Sequence, residues 1–166
     1  MASAAFIDIQ GFKISEDKFI LKEISCITGQ IEYHAIVKSP FSFGNLNKKF
    51  QLQAKWLTKF YHGICWSNGN FKINQVKNHL RELLQDQPNF VKGLEKANWL
   101  RQLFPGIHFE VYDLDTEHGC NLKLNKKWKE QCSFHIDCAQ QFQCARVNAL
   151  AIKKWYNDNI FETKLE

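Results

Sequence analysis

Apolar and polar positions change their period several times along the chain, and each change predicts an element. Ala5-Phe6-Ile7-Asp8-Ile9-Gln10-Gly11-Phe12 alternates, which predicts a strand closing at Gly11. Phe19–Ile27 reads as a second strand and Ile31–Val37 as a third, with Thr28-Gly29-Gln30 between them as the turn of an antiparallel hairpin. The period then lengthens. Phe50, Ala54, Leu57, Phe60 and Tyr61 lie at helical spacing, and His62-Gly63 supplies a stop. Asn74 is the expected N-cap of a helix carrying Val76, Leu80, Leu83 and Leu84 on one face, with Pro88 beyond its end. Phe90-Val91 reads as a short buried strand, and Lys92-Gly93 leads into a helix through Trp99, Leu100 and Leu103 that Pro105-Gly106 breaks. Ile107–Tyr112 alternates again and ends at Asp113-Leu114-Asp115. A last amphipathic helix is expected from about Gln141 to Asn157.

The order is β-β-β-α-α-β-α-β-loop-α. A hairpin that acquires parallel strands through helical crossovers gives a mixed α/β layer fold, with helices flanking a mixed sheet. With three prolines, no repeat and no low-complexity tract, nothing marks a linker, so one domain spanning 1–166 is expected.

Composition narrows the function classes. At 166 residues, 45% hydrophobic and 23% charged, the chain has the balance of a globular domain able to bury a core without staples. Apolar runs are only a few residues long, far below the roughly 20 needed to cross a bilayer, so no membrane partner is expected. Asp8 interrupts the only N-terminal apolar stretch, which excludes a secretory signal there and points to an intracellular location, cytoplasmic or nuclear. Cysteines in that compartment stay reduced, so six of them do not predict disulfides. The net charge of +5 permits attraction to phosphate backbones.

Four cysteines and two histidines fall between His118 and Cys144, in the order His118, Cys120, Cys132, His135, Cys138 and Cys144. Zinc favours four tetrahedral thiolate and imidazole ligands, and Cys132-Ser133-Phe134-His135 can offer two from one turn. Cys120 and Cys144 are the expected remaining pair, with Cys138 or His118 as alternatives for one of the four. A closed set of four makes one structural zinc per chain, because a catalytic zinc keeps an open position. Cys26 and Cys65, each alone in an apolar setting, read as small hydrophobes.

The first strand carries a second signal, Asp8-x-Gln10. Here the chain resembles the DEDD-type exonucleases of ribonuclease H-like fold, whose first strand carries Asp-x-Glu. That resemblance implies two divalent metal ions and phosphodiester hydrolysis, which need converging carboxylates. Gln10 stands where the family has Glu, and an amide supplies no charge. Near the family's second Asp the closest residues are Glu95 and Lys96. On the last helix Cys144-Ala145-Arg146-Val147-Asn148-Ala149 has Asn at the expected Asp position. The resemblance with this substitution pattern implies a silent active site without magnesium or manganese. Asp8 with Asp113 or Asp115 is the fallback acidic site for an active nuclease. The pattern of lost acids beside a Cys/His cluster also resembles the Maelstrom domain of the piRNA pathway. That likeness implies a partner among single-stranded RNA or DNA, or a protein of an RNA-silencing complex. A Glu-led version of its zinc set would draw here on Glu95 or Glu117.

Basic residues with an interleaved aromatic suit single-stranded nucleic acid, through phosphate contacts and base stacking. Lys123, Lys126, Lys127, Trp128 and Lys129 form such a group beside the proposed zinc loop, and Arg146, Lys153 and Lys154 lie on the last helix. Trp66 and Phe71 flank the turn Ser67-Asn68-Gly69-Asn70, which either presents a stacking loop or tucks against the core.

Overall fold

The computed structural model describes residues 3–124 and 130–161. β1 (Ala5–Ser15) and β2 (Lys18–Thr28) pair antiparallel, and β3 (Ile31–Ile36) pairs antiparallel with the far edge of β2. β4 (Asn89–Val91) runs parallel along the other edge of β1, and β5 (Val111–Asp113) runs parallel to β4. The result is a mixed five-stranded sheet of order β3-β2-β1-β4-β5. Helices flank it: α1 (Lys48–Phe60), α2 (Ile73–Leu84), α3 (Leu94–Gln102), the short α4 (Leu114–His118) and α5 (Ala145–Tyr156), which runs on into a π-helical turn at Asn157–Phe161.

Strand alternation sorts the side chains of β1 to two faces. Ala5, Ile7 and Ile9 join Ile24 and Cys26 of β2 in the main core, which Val76, Leu80 and Leu84 of α2 and Ala97 and Leu100 of α3 complete. The opposite face of β1 carries Phe6, Asp8 and Gln10, and α5 packs across β1 and β2 on that side. Beyond it, Phe12 anchors a separate cluster with Leu46, Phe50, Ala54 and Trp66 that seats α1.

Several boundaries differ from the sequence expectation, each for a local reason. β1 does not close at Gly11. It shifts register between Gln10 and Gly11 and continues to Ser15. A Cβ at Gly11 would lie 2.0 Å from the Ile20 carbonyl oxygen, so the bulge needs a residue with no side chain. Asn74 lies in the first turn of α2 and does not cap it. Lys72 is the N-cap, its amide donating to Gln75 Oε1 at 3.0 Å. The expected strand Ile107–Tyr112 is reduced to Val111–Asp113, with only the Glu110 carbonyl tied in earlier, by the Asn89 amide at 2.9 Å. α4 was absent from the sequence reading. It starts because the Asp113 carboxylate caps it, accepting from the Asp115 amide at 3.0 Å. α5 begins at Ala145, four residues later than expected, with Cys144 as its N-cap.

Candidate metal centre

β2 delivers the first residue of the centre. Glu23 sits opposite Gln10 in the β1–β2 ladder, on the face that α5 covers, and is fully buried. A turn delivers the next two: the His135 amide donates to the Cys132 carbonyl at 3.1 Å, which places both side chains on one side of that turn. Cys144 arrives from the start of α5, where the Cys132 amide donates to its Sγ at 3.3 Å. The ligand atoms of Glu23, Cys132, His135 and Cys144 all lie within 4.8 Å of one another, and all four residues are buried. This group can hold a metal ion.

The details fit a metal ligand set. Cys132 Sγ lies 3.0 Å from His135 Nδ1 and 3.3 Å from Glu23 Oε2, and His135 Nδ1 lies 3.4 Å from the same oxygen. Ligands at zinc-like bond lengths stand roughly 3.3–3.8 Å apart around a tetrahedron, so little movement is required. His135 Nε2 donates to the His62 carbonyl at 2.6 Å, which turns Nδ1 toward the centre. The other oxygen of Glu23 accepts from the Ala145 amide at 2.9 Å, tying the strand to the helix start. Burial opposes the ionisation of Glu23, yet hydrogen bonds from His135 and His34 prevail and hold its carboxyl down at about 2. The hydrogen bond between the two thiols pulls the Cys144 thiol well down and pushes the Cys132 thiol up. Two anionic donors are thus prepared in a dry pocket, as a cation requires.

Of the four ligands expected from sequence, Cys132, His135 and Cys144 meet. Cys120 does not join them. It is buried in an apolar cluster with Phe6, Phe90, Leu114 and Ile152, because it follows the Gly119 cap of α4 and is held there by its amide bond to the Leu114 carbonyl. Glu23 takes the fourth position. The alternatives are likewise elsewhere: Cys138 Sγ donates to the Phe134 carbonyl, and the His118 ring packs near Phe90 and Tyr156. Glu95 is an exposed partner of Lys13, and Glu117 is exposed on α4. The sequence signal for Glu23 was an acid in the middle of the apolar strand Phe-Ile-Leu-Lys-Glu-Ile-Ser-Cys-Ile.

A second buried polar site lies on the same face. Asp8 is fully buried, and its Oδ1 accepts from Lys96 Nζ of α3 at 2.5 Å. Its Oδ2 accepts from Asn148 Nδ2 of α5 at 2.9 Å and from Gln10 Nε2 at 3.1 Å. Burial raises the Asp8 pKa above the usual carboxylate range, against the opposing pull of Lys96 and Asn148. Asp113 and Asp115 are spent otherwise. The Asp113 oxygens accept from the Gly93 amide, the Asp115 amide and the Thr116 hydroxyl, and Asp115 pairs with Lys92 at 2.6 Å. Both serve the α3 and α4 starts, so in the fallback pairing of Asp8 with Asp113 or Asp115 each acid has its own separate set of partners.

Among the expected nucleic-acid contacts, Lys126, Lys127, Trp128 and Lys129 lie outside the described residues. Lys123 is exposed and Lys153 half-buried on α5. Arg146 is engaged by Glu32 and by the Glu130 carbonyl at 2.8 Å, which holds its guanidinium against β3. Trp66 is tucked inward, its indole donating to the Phe41 carbonyl at 2.7 Å, while Phe71 is exposed. Among the described residues no helix is long and apolar enough to cross a membrane. No protein-family model matches the chain, and no curated protein matches it either.

Proposed function

We propose that this chain is a ribonuclease H-like domain with a silent nuclease site, stabilised by one structural zinc ion and binding single-stranded RNA. The observation that carries the reading is the surroundings of Asp8. Gln10 and Asn148, which stand where the resemblance expects acids, and Lys96, which with Glu95 is nearest to its second Asp, all donate hydrogen bonds to this carboxylate. Two-metal hydrolysis needs several anionic oxygens around the cations, and here two amides and an ammonium surround a single carboxylate. The ammonium supplies the neutralising charge that divalent ions supply in an active enzyme. Asp8 thus becomes a structural anion joining β1, α3 and α5.

Zinc suits the donor set of Glu23, Cys132, His135 and Cys144, with two soft sulfurs, one imidazole and one carboxylate. All four positions come from the protein, and the ligands tie β2 to the Cys-rich turn and to the first residue of α5. Its role is therefore to hold that helix against the sheet. The mixed sheet supports the ribonuclease H-like reading, and the net charge of +5 supports an anionic partner. Fold alone does not assign activity, so the reading rests on these sites.

The test is a pair of assays on the purified chain with a labelled single-stranded RNA. Binding that weakens steeply with salt, and no cleavage with added magnesium or manganese, is the expected result. Metal-dependent cleavage abolished by Asp8→Ala would overturn the silent site. Absence of RNA binding at low salt would leave a protein-interaction adaptor in its place.

A further inference from the structure

The most unequal charge distribution in the chain lies away from both buried sites. From Tyr33 to Arg81 there are eight lysines and arginines and no aspartate or glutamate, although the net charge of the whole chain is only +5. This stretch contains α1 and the loops on either side of it. Together they enclose a cleft of about 880 Å³, the size of a small-molecule or nucleotide pocket. Lys38, Lys55 and Lys59 line it together with Phe41, Phe43 and Trp66. None of these residues belongs to the Glu23 or Asp8 sites.

The aromatic wall is built in advance. Phe41 and Phe43 pack against Trp66 at ring centroid distances of 5.4 and 6.2 Å, and Trp66 is fixed by its bond to the Phe41 carbonyl. Behind it the buried Lys22 ammonium donates to the Trp66 carbonyl and to Ser39 Oγ, both at 3.0 Å, holding the two loops together. Lys55 stands over the Phe43 ring at 5.8 Å. Among the described residues, no carboxylate forms an ion pair with Lys38, Lys55 or Lys59. An unpaired cation beside a preset ring wall is what a phosphate and a base together need.

The same helix continues the pattern outward. At 3.6 residues per turn, Lys55 and Lys59 form a row between the cleft side of α1, at Ala54 and Thr58, and a stripe formed by Leu52 and Trp56. Leu52 and Trp56 are 63% and 54% exposed. A strand crossing α1 thus finds rings on both sides of a lysine row.

We infer that the cleft between α1 and the loops at Lys38–Phe43 and Cys65–Gly69 is the single-stranded RNA-binding surface of this protein. Phosphates lie on Lys55 and Lys59, and bases stack against Trp56 and the half-buried Phe41 and Phe43 rings, which the buried Trp66 backs. This rests on the proposed RNA-binding function and moves its surface from the Lys123–Lys129 segment to α1.

The experiment is fluorescence anisotropy of a labelled 12-nucleotide poly(U) RNA with the full chain, from 50 to 200 mM salt. Lys55→Glu/Lys59→Glu should weaken binding more than tenfold, and Lys55→Gln/Lys59→Gln should lower the salt slope by about 1.4, near 0.7 per lost phosphate contact. Trp56→Ala should weaken binding roughly five- to a hundredfold with the salt slope unchanged. These side chains are exposed, so melting curves matching wild type verify folding. Lys123→Glu/Lys153→Glu should bind within twofold of wild type. Wild-type binding that survives the α1 substitutions, or that is lost only with Lys123 and Lys153, overturns this surface while leaving RNA binding intact. No wild-type binding, or binding of phosphatidylserine vesicles alone, overturns the RNA reading itself.

Discussion

Lys96 and Asp8 form an ion pair with a 2.5 Å separation across the packed sheet face, the carboxylate fully buried and the ammonium side chain 22% exposed. The pair joins α3 to β1. Lys96→Met leaves the carboxylate without a cation in a dry site and should cost about 3–5 kcal/mol. The folded pKa of Asp8 is raised above its unfolded value, so any stability gained by its protonated form is lost as pH rises through the folded pKa. Losing Lys96 raises that value further, so the defect should grow as pH rises. Denaturant unfolding of Lys96→Met and of Asp8→Asn/Lys96→Met at several pH values checks this: the double variant should recover most of the loss.

Metal content separates the structural ligand set from the one expected from sequence. Elemental mass spectrometry of the reduced protein should give about one zinc per chain. Glu23→Gln and Cys144→Ser should lose it, together with much of the folding stability, because metal binding and folding are coupled. Cys120→Ser should retain the metal. Loss of zinc from Cys120→Ser but not from Glu23→Gln would restore the all-Cys/His set.

His62 gives an acid-sensitivity prediction. Its ring is buried, Nδ1 accepts from the Ile64 amide at 3.1 Å, and Nε2 lies 3.2 Å from the Gly11 carbonyl, so the neutral tautomer fits its partners. Burial, the largest influence, lowers its pKa to about 4 from 6.5. Between those values the unfolded chain takes up a proton that the folded chain refuses. Stability therefore falls as pH drops from 6.5 to 4, by at most about 3 kcal/mol. Thermal melts should show a shallower decline for His62→Asn over that window, and parallel curves would refute the assignment.

Gly11→Ala places a Cβ 2.0 Å from the Ile20 carbonyl oxygen, and backbone cannot swing aside as a side chain can. The expected loss is about 3 kcal/mol or more. Gly29→Ala has the strained φ of +56° but open space around it, so about 1 kcal/mol is expected. Equal midpoints in urea for the two variants would contradict the bulge.

The sequence by itself determined the three antiparallel strands, the later short strand at Phe90, the principal helices and the Cys132-x-x-His135 pair. These follow from periodicity and short spacing, which depend on neighbours within a few residues. Residue identity alone puts amides at Gln10 and Asn148, where the exonuclease resemblance leads one to expect acids. It did not show that Lys96 would meet Asp8, which lies 88 residues away in sequence, or that Glu23 would meet Cys132 across 109 residues. Those meetings depend on which face each strand turns to α5, and a one-residue change of phase would send Glu23 to the opposite face. Cys120 and Glu23 exchanged places for the same reason. Sequence proximity favoured the cysteine, but α4 carried it into an apolar cluster, while strand pairing brought the glutamate to the metal-ligand group.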